Sequence, residues 1–161
     1  MKNLNQLHKQ LPLTVALKTD HVLIIDQTIL PHKLKFLKLT KYADANFAIK
    51  EMKVRGAQAI GAVGAVGVWL ASNRYRKNIP TEFYAYLQKI AKEIIKARPT
   101  AVNLAWGVKT ILSDLDLTSV AKMKQIITLR YKNLLSQEVA NNLKIGEYGN
   151  QLIKSGMTIL T

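Results

Sequence analysis

The chain has 161 residues, with 24 Lys plus Arg against 10 Asp plus Glu, a net charge of +14 and no cysteine. That length fits one domain able to bury about 68 to 70% of its unfolded surface, and the lack of cysteine excludes disulfides, thiolate metal sites and a cysteine nucleophile within these residues. The positive balance favours anionic partners, whether phosphorylated metabolites, nucleic acid or acidic protein surfaces, and the polar start Met1–Gln10 has no apolar signal-peptide segment, so the expected location is cytoplasmic.

Thr14–Lys18 and His21–Asp26 are short apolar runs separated by Thr19-Asp20, the pattern of a hairpin. After Pro31, the residues Leu34, Phe36 and Leu39 with intervening lysines predict a third strand, although Leu37 breaks the alternation. A small antiparallel sheet over residues 1–40 is therefore expected. Lys33, Lys35, Lys38 and Lys41 form the densest basic run, but no arginine-rich arm, zinc-finger spacing or aromatic RNA-binding signature accompanies it. It reads as a solvated face, and nucleic acid is not the expected partner. His8, His21 and His32 lack metal-ligand spacing, so no metal site is expected.

From Thr40 the period becomes helical. Thr40 or Asp44 can cap a helix running to about Lys53, which leads into Val54–Asn73, VRGAQAIGAVGAVGVWLASN. This stretch carries no charge after Arg55 and is apolar or small on every side, the signature of a buried helix. Each of Gly61, Gly64 and Gly67 costs about 0.5 to 1 kcal/mol against alanine in a helix interior. Tight packing against neighbouring backbones is the expected compensation. The uncharged run from Gly56 reaches the lower limit of a membrane span, about 18 residues. It is glycine-rich, however, includes Gln58, Ser72 and Asn73, and has basic residues on both flanks, so no membrane is expected. At its front, Arg55-Gly56-Ala57 places a cation, a permissive backbone residue and free N–H groups at a helix start, where phosphate or carboxylate binds well.

Pro80-Thr81 starts a helix in which Phe83, Leu87, Ile90, Ala91 and Ile94 share one face, and it ends at Arg98-Pro99 because the residue before proline is pushed out of helical geometry. Leu104, Val108, Ile111 and Leu112, with Trp106 beside them, mark the next helix. Asp114-Leu115-Asp116 closes it, and Thr118 can cap its successor. Ser119–Ser155 reads as one long helix or two abutting near Ser136, terminated by Gly156 as a C′ glycine. Met157–Thr161 reads as a strand. The expected fold class is α+β, mostly α: a domain over 1–156, with the sheet in 1–40 and a helical bundle in 41–156, then 157–161 as the start of a C-terminal α/β domain.

Two motifs, Val54–Gly61 (VRGAQAIG) and Ala97–Leu104 (ARPTAVNL), carry a resemblance that Leu23–Pro31, Leu37–Thr40, Ile145–Gly149 and Thr158–Thr161 support in order. They resemble the 5-methylthioribose-1-phosphate isomerases, in the superfamily that also holds ribose-1,5-bisphosphate isomerase and the regulatory subunits of translation initiation factor 2B. The resemblance covers nearly all of this chain but only about the N-terminal half of a family member. It implies an aldose to ketose isomerisation in methionine salvage, from methylthioribose 1-phosphate to methylthioribulose 1-phosphate, without metal or organic cofactor. It places the phosphate and substrate contacts on Arg55, Gly56, Ala57 and Arg98, residue types suited to a phosphate because a helix N-terminus and a guanidinium fork both donate to its oxygens.

Two departures accompany the resemblance. Gln58 stands where the family usually has proline, which loosens the first turn but still allows the Arg-Gly-Ala geometry. The family's His-Cys-Asn-Ala-Gly segment with its active-site cysteine, and a later catalytic aspartate, follow the strand in which this sequence ends. No catalytic residue is assigned here: Asp26, Asp44, Asp114 and Asp116 read as loop or cap residues, and Glu51 as a salt-bridge partner of Arg55. The expectation is the N-terminal part of such an isomerase, as a truncated product or half of a split enzyme. It would bind a phosphorylated sugar, self-associate, and be inert without a separate chain supplying the C-terminal half. The alternative is an interaction module resembling the factor 2B regulatory subunits, and a nucleic-acid binder rests on net charge alone.

Overall fold

The computed structural model describes residues 12–160. Strands β1 (Val15–Leu17), β2 (Val22–Ile25) and β3 (Phe36–Leu39) form an antiparallel sheet in the order β1-β2-β3. Leu23 lies opposite both Ala16 and Lys38, and Ile24 opposite both Val15 and Leu37. The central strand reads VLII and buries Val22, Ile24 and Ile25. A short 3-10 turn, Gln27–Ile29, follows it.

Five helices follow among the described residues: α1 (Tyr42–Lys50), α2 (Ala57–Arg74), α3 (Pro80–Ala97), α4 (Val102–Leu112) and α5 (Val120–Leu152). Asp44 supports the start of α1 from inside its first turn, its carboxylate accepting the N–H groups of Thr40 at 2.8 Å and Lys41 at 3.1 Å. The helix stops at Lys50, short of the expected Lys53, because Met52 adopts a left-handed φ of 53°. The Met52 N–H then meets the Ile49 carbonyl at 3.2 Å and the Lys53 N–H meets the Ala48 carbonyl at 2.8 Å. This is a Schellman ending, here with methionine in the position glycine usually takes.

Helix α2 is the centre of the bundle, buried without a break from Ile60 to Ser72 and touching all four other helices. Its glycines are the contact points. Gly61 faces Asn103, Gly64 faces Leu104 and Val108, and Gly67 faces Ile94 and Ala45. The close approach predicted from the small residues thus offsets their low helix propensity. Helix α3 has Pro80 in its first turn and buries the five residues expected from its period. Helix α5 is one continuous element that buries Val120, Met123, Ile127, Tyr131 and Leu134. Trp69 of α2 stacks on Tyr131, with ring centroids 5.2 Å apart. Its cap is Ser119 rather than Thr118: the serine oxygen accepts the Lys122 N–H at 3.1 Å.

The end of the described chain departs from expectation. Gly156 lies beyond the helix in a turn closed by Met157 N–H on the Lys154 carbonyl at 3.2 Å, so it does not serve as C′ of α5. Met157–Leu160 is exposed and pairs with no strand among the described residues. Strand-forming residue types make a strand only where a ladder partner exists. Thr161, the start Met1–Gln10 and His8 lie outside the described residues. No helix among the described residues is long and apolar enough to cross a membrane.

Candidate functional site

The chain from α1 to α2 is fixed by the turn after β2. Asp26, 4% exposed, accepts the N–H of Thr28 at 3.1 Å and its hydroxyl at 2.5 Å, and pairs with Lys53 Nζ at 3.2 Å. The Thr28 hydroxyl, with further help from the Thr28 amide and Lys53, holds the Asp26 carboxyl below the usual carboxylate range against the opposing effect of burial. Gln27 then grips both sides of buried Val54: its N–H donates to the Lys53 carbonyl at 2.9 Å, and its side-chain oxygen accepts the Arg55 N–H.

Beyond this clamp Gly56 takes φ 87° and ψ 135°, backbone angles that side-chain-bearing residues rarely adopt. Its carbonyl accepts the Ile60 N–H at 3.0 Å, the first bond of α2. The N–H groups of Ala57, Gln58 and Ala59 precede that bond, and among the described residues nothing accepts from them. Arg55, Gly56, Ala57 and Gln58 are all exposed. They open on a cleft of about 770 Å³, within the range of small-molecule sites. Residues 12–15, Gln27 and a face of α5 containing Leu135, Glu138 and Asn142 complete its lining.

The structure brings Arg55, Gly56 and Ala57 together at this cleft and leaves Arg98 out of its lining. Arg98 ends α3 with its N–H on the Ile95 carbonyl at 3.3 Å, and its own carbonyl accepts the Ala101 N–H at 3.0 Å. The helix that follows, α4, enters beside the second turn of α2, with Asn103 against Gly61. Glu51 follows the last residue of α1 and forms no ion pair with Arg55, contrary to expectation, because the Schellman ending turns the chain between them.

Glu138 was missed by reading the acidic residues of loops and caps. One carboxylate oxygen of Glu138 is buried with no hydrogen-bond partner, and burial raises the pKa of the group above the ordinary carboxylate value. The signal lay in the periodicity of α5, whose apolar stripe arrives at Glu138 one turn after Leu134. His21 pairs with Asp20 at 2.6 Å and His32 is exposed. Among the described residues there is no group of three His, Cys, Asp or Glu side chains placed to hold a metal.

The protein belongs to the initiation factor 2 subunit family, whose sequence profile matches residues 53–161. Among its relatives, a methylthioribose-1-phosphate isomerase of Acetivibrio thermocellus is 39% identical over 142 residues, covering 86% of this chain and 41% of the relative. Another of that name, from Thermoanaerobacter sp., is 34% identical over 151 residues, covering 92% and 44%. The crystal structure of 5-methylthioribose 1-phosphate isomerase from Pyrococcus horikoshii superposes with a TM-score of 0.85 at 33% identity, covering 91% of this chain and 42% of that one. The crystal structure of the delta subunit of translation initiation factor eIF-2B from A. fulgidus gives 0.80 at 34% identity, covering 89% and 42%. The chain thus spans 41 to 44% of the length of these relatives.

Proposed function

We propose that these residues carry the phosphate-binding part of an isomerase of the methylthioribose-1-phosphate type. The observation that supports this most is the set of N–H groups on Ala57, Gln58 and Ala59, which lack acceptors among the described residues, follow Gly56, stand beside Arg55 and open into a ligand-sized cleft. A helix start of this kind favours an anion through its free donors and its dipole together. The relatives named methylthioribose-1-phosphate isomerase suggest a phosphorylated sugar as that anion. In this reading Arg55, Gly56 and Ala57 hold the phosphate, and the resemblance adds Arg98 as a further contact, although it stands in the α3–α4 loop outside the cleft lining.

Converting an aldose to a ketose moves hydrogen between C1 and C2 and needs an acid and a base at those atoms. No residue present is assigned to that step, and no cofactor is invoked. A further segment or a separate chain supplies it, so the 161 residues bind without turning over. The reading places the protein in the cytoplasm as part of methionine salvage. Exposed Ile145, Tyr148 and Leu152 on α5 also support self-association, since clustered apolar surface marks interaction sites.

Titration with methylthioribose 1-phosphate by NMR, beside an assay for the ketose, tests the proposal. The expected affinity is about millimolar, weakened about tenfold in Arg98→Ala because a charge-assisted contact is lost, with no ketose formed. Equal binding by Arg98→Ala removes that residue from the site, and turnover by the isolated chain overturns its inertness. The likeness to the eIF-2B delta subunit favours a second reading, an interaction module, which predicts no response to the sugar phosphate at all.

A further inference from the structure

We infer that Glu138 and Asn142 form the hydroxyl-binding wall of the cleft, so that it takes a pentose phosphate in preference to a bare anion. The inference rests on the proposed phosphate site and adds two further residues of the same cleft. Along α5 the buried residues Val120, Met123, Ile127, Tyr131 and Leu134 advance by three or four positions, the stripe by which a helix packs on a bundle. The next steps of four fall on Glu138 and Asn142, and both line the cleft with Arg55, Gly56 and Ala57. Beside them Leu135, Val139 and Leu143 carry the apolar face on into the cleft, so the carboxylate and the amide are the polar groups α5 sets within an apolar wall.

The carboxylate is also not consumed by the fold. One of its oxygens is buried without a hydrogen-bond partner, and among the described residues neither Arg55 nor any other cation forms an ion pair with Glu138. A buried acceptor left without a donor is unfavourable, and a ligand hydroxyl is the donor that suits it. Asn142, one turn on, both donates and accepts and can serve a neighbouring hydroxyl. Charge then fixes the orientation of the ligand. A phosphate is repelled by Glu138 and attracted by Arg55 and the start of α2, whereas neutral hydroxyls meet no such repulsion.

The test uses the full 161-residue chain and two probes, inorganic phosphate and ribose 1-phosphate, titrated into wild type, Glu138→Leu, Glu138→Gln and Asn142→Leu. Wild type is expected to bind ribose 1-phosphate about fivefold more tightly than inorganic phosphate, the worth of one net hydrogen bond. Glu138→Leu and Asn142→Leu should bring the two affinities within about twofold of each other, with that for inorganic phosphate unchanged in Asn142→Leu and raised in Glu138→Leu, where the repelling charge is gone. Glu138→Gln keeps size and shape, should retain part of the preference, and covers the case in which leucine perturbs the fold. A preference undiminished in the variants overturns the inference. So does a wild type that binds inorganic phosphate at α2 but ribose 1-phosphate no more tightly, and that result leaves the phosphate site standing. A wild type that binds neither probe overturns both.

Discussion

Gly61 of α2 and Gly107 of α4 meet backbone to backbone: a Cβ added to Gly107 would fall on the Gly61 carbonyl, and one added to Gly61 would stand 2.7 Å from the Asn103 carbonyl oxygen. No side chain separates the two helices there. The contact therefore sets how α4 enters beside the early turns of α2, and with it where the Arg98 loop runs.

Substitution at this contact should cost more than at the next glycine of the stripe. Gly107→Ala pushes a methyl group into backbone that cannot move aside, and is expected to destabilise by about 3 kcal/mol. At Gly64 the added Cβ meets the Cδ1 end of Leu104 at 2.5 Å, a side-chain tip that can rotate. Helix propensity also returns about 0.5 to 1 kcal/mol, so Gly64→Ala should lose less than about 1 kcal/mol in total. Urea unfolding of both variants checks this, and equal losses would contradict it.

The ending of α1 offers a gain. Met52 holds a φ of 53°, a left-handed conformation that costs a side-chain-bearing residue roughly 1 to 2 kcal/mol. Met52→Gly removes that strain but gives the unfolded chain more freedom. The net expectation is stabilisation by about 1 kcal/mol, seen as a higher Tm. A lower Tm would show that the partly exposed methionine side chain contributes more than its backbone conformation costs.

The clamp at Asp26 predicts a pH dependence. The native state holds this carboxyl below its usual range, so its contribution to stability is fully present above the unfolded pKa, about 3.9, and is lost as pH falls through the lower folded value. Asp26→Asn should cost about 2 kcal/mol at neutral pH, the scale of hydrogen bonds to a charged group. The gap between wild type and variant should close on acidification. A gap that stays constant down to the acid limit would mean that Asp26 stabilises through shape rather than charge.

For Glu138 the sign is reversed. Burial raises its pKa, so folding disfavours the ionised form relative to the unfolded chain. The resulting penalty on stability grows as pH rises from the unfolded pKa, about 4.3, to the higher folded value. Glu138→Leu continues the apolar stripe of α5 and should stabilise the chain by about 1 kcal/mol at pH 7, with a smaller gain near pH 4. Loss of stability at pH 7 would show that the carboxylate has a structural partner.

How far these features were legible in the sequence follows from how local each one is. The burial of α2 could be read from an uncharged stretch with three spaced glycines, and the exposed helix start at Arg55-Gly56-Ala57, proposed above as an anion site, from the glycine that opens it, since both are properties of consecutive residues. The placement of Arg98 outside the cleft depends on how α3 and α4 cross α2, which no local pattern encodes. Glu138 was within reach, because the period of Ile127, Tyr131 and Leu134 leads to it; what the sequence does not contain is that this step lines the same cleft as the start of α2. The residues 157–160 have strand-forming types, but a ladder needs a neighbour and local propensity does not provide one.

The most direct test of anion binding at α2 is a two-dimensional amide NMR titration of the 161-residue chain with inorganic phosphate at low salt. The amides of Ala57, Gln58 and Ala59 should shift together along one saturable curve at about millimolar concentration, while amides deep in α3 stay still. Shifts spread evenly over the lysine-rich surface, with Ala57–Ala59 unmoved, would contradict the assignment of a phosphate site to the start of α2.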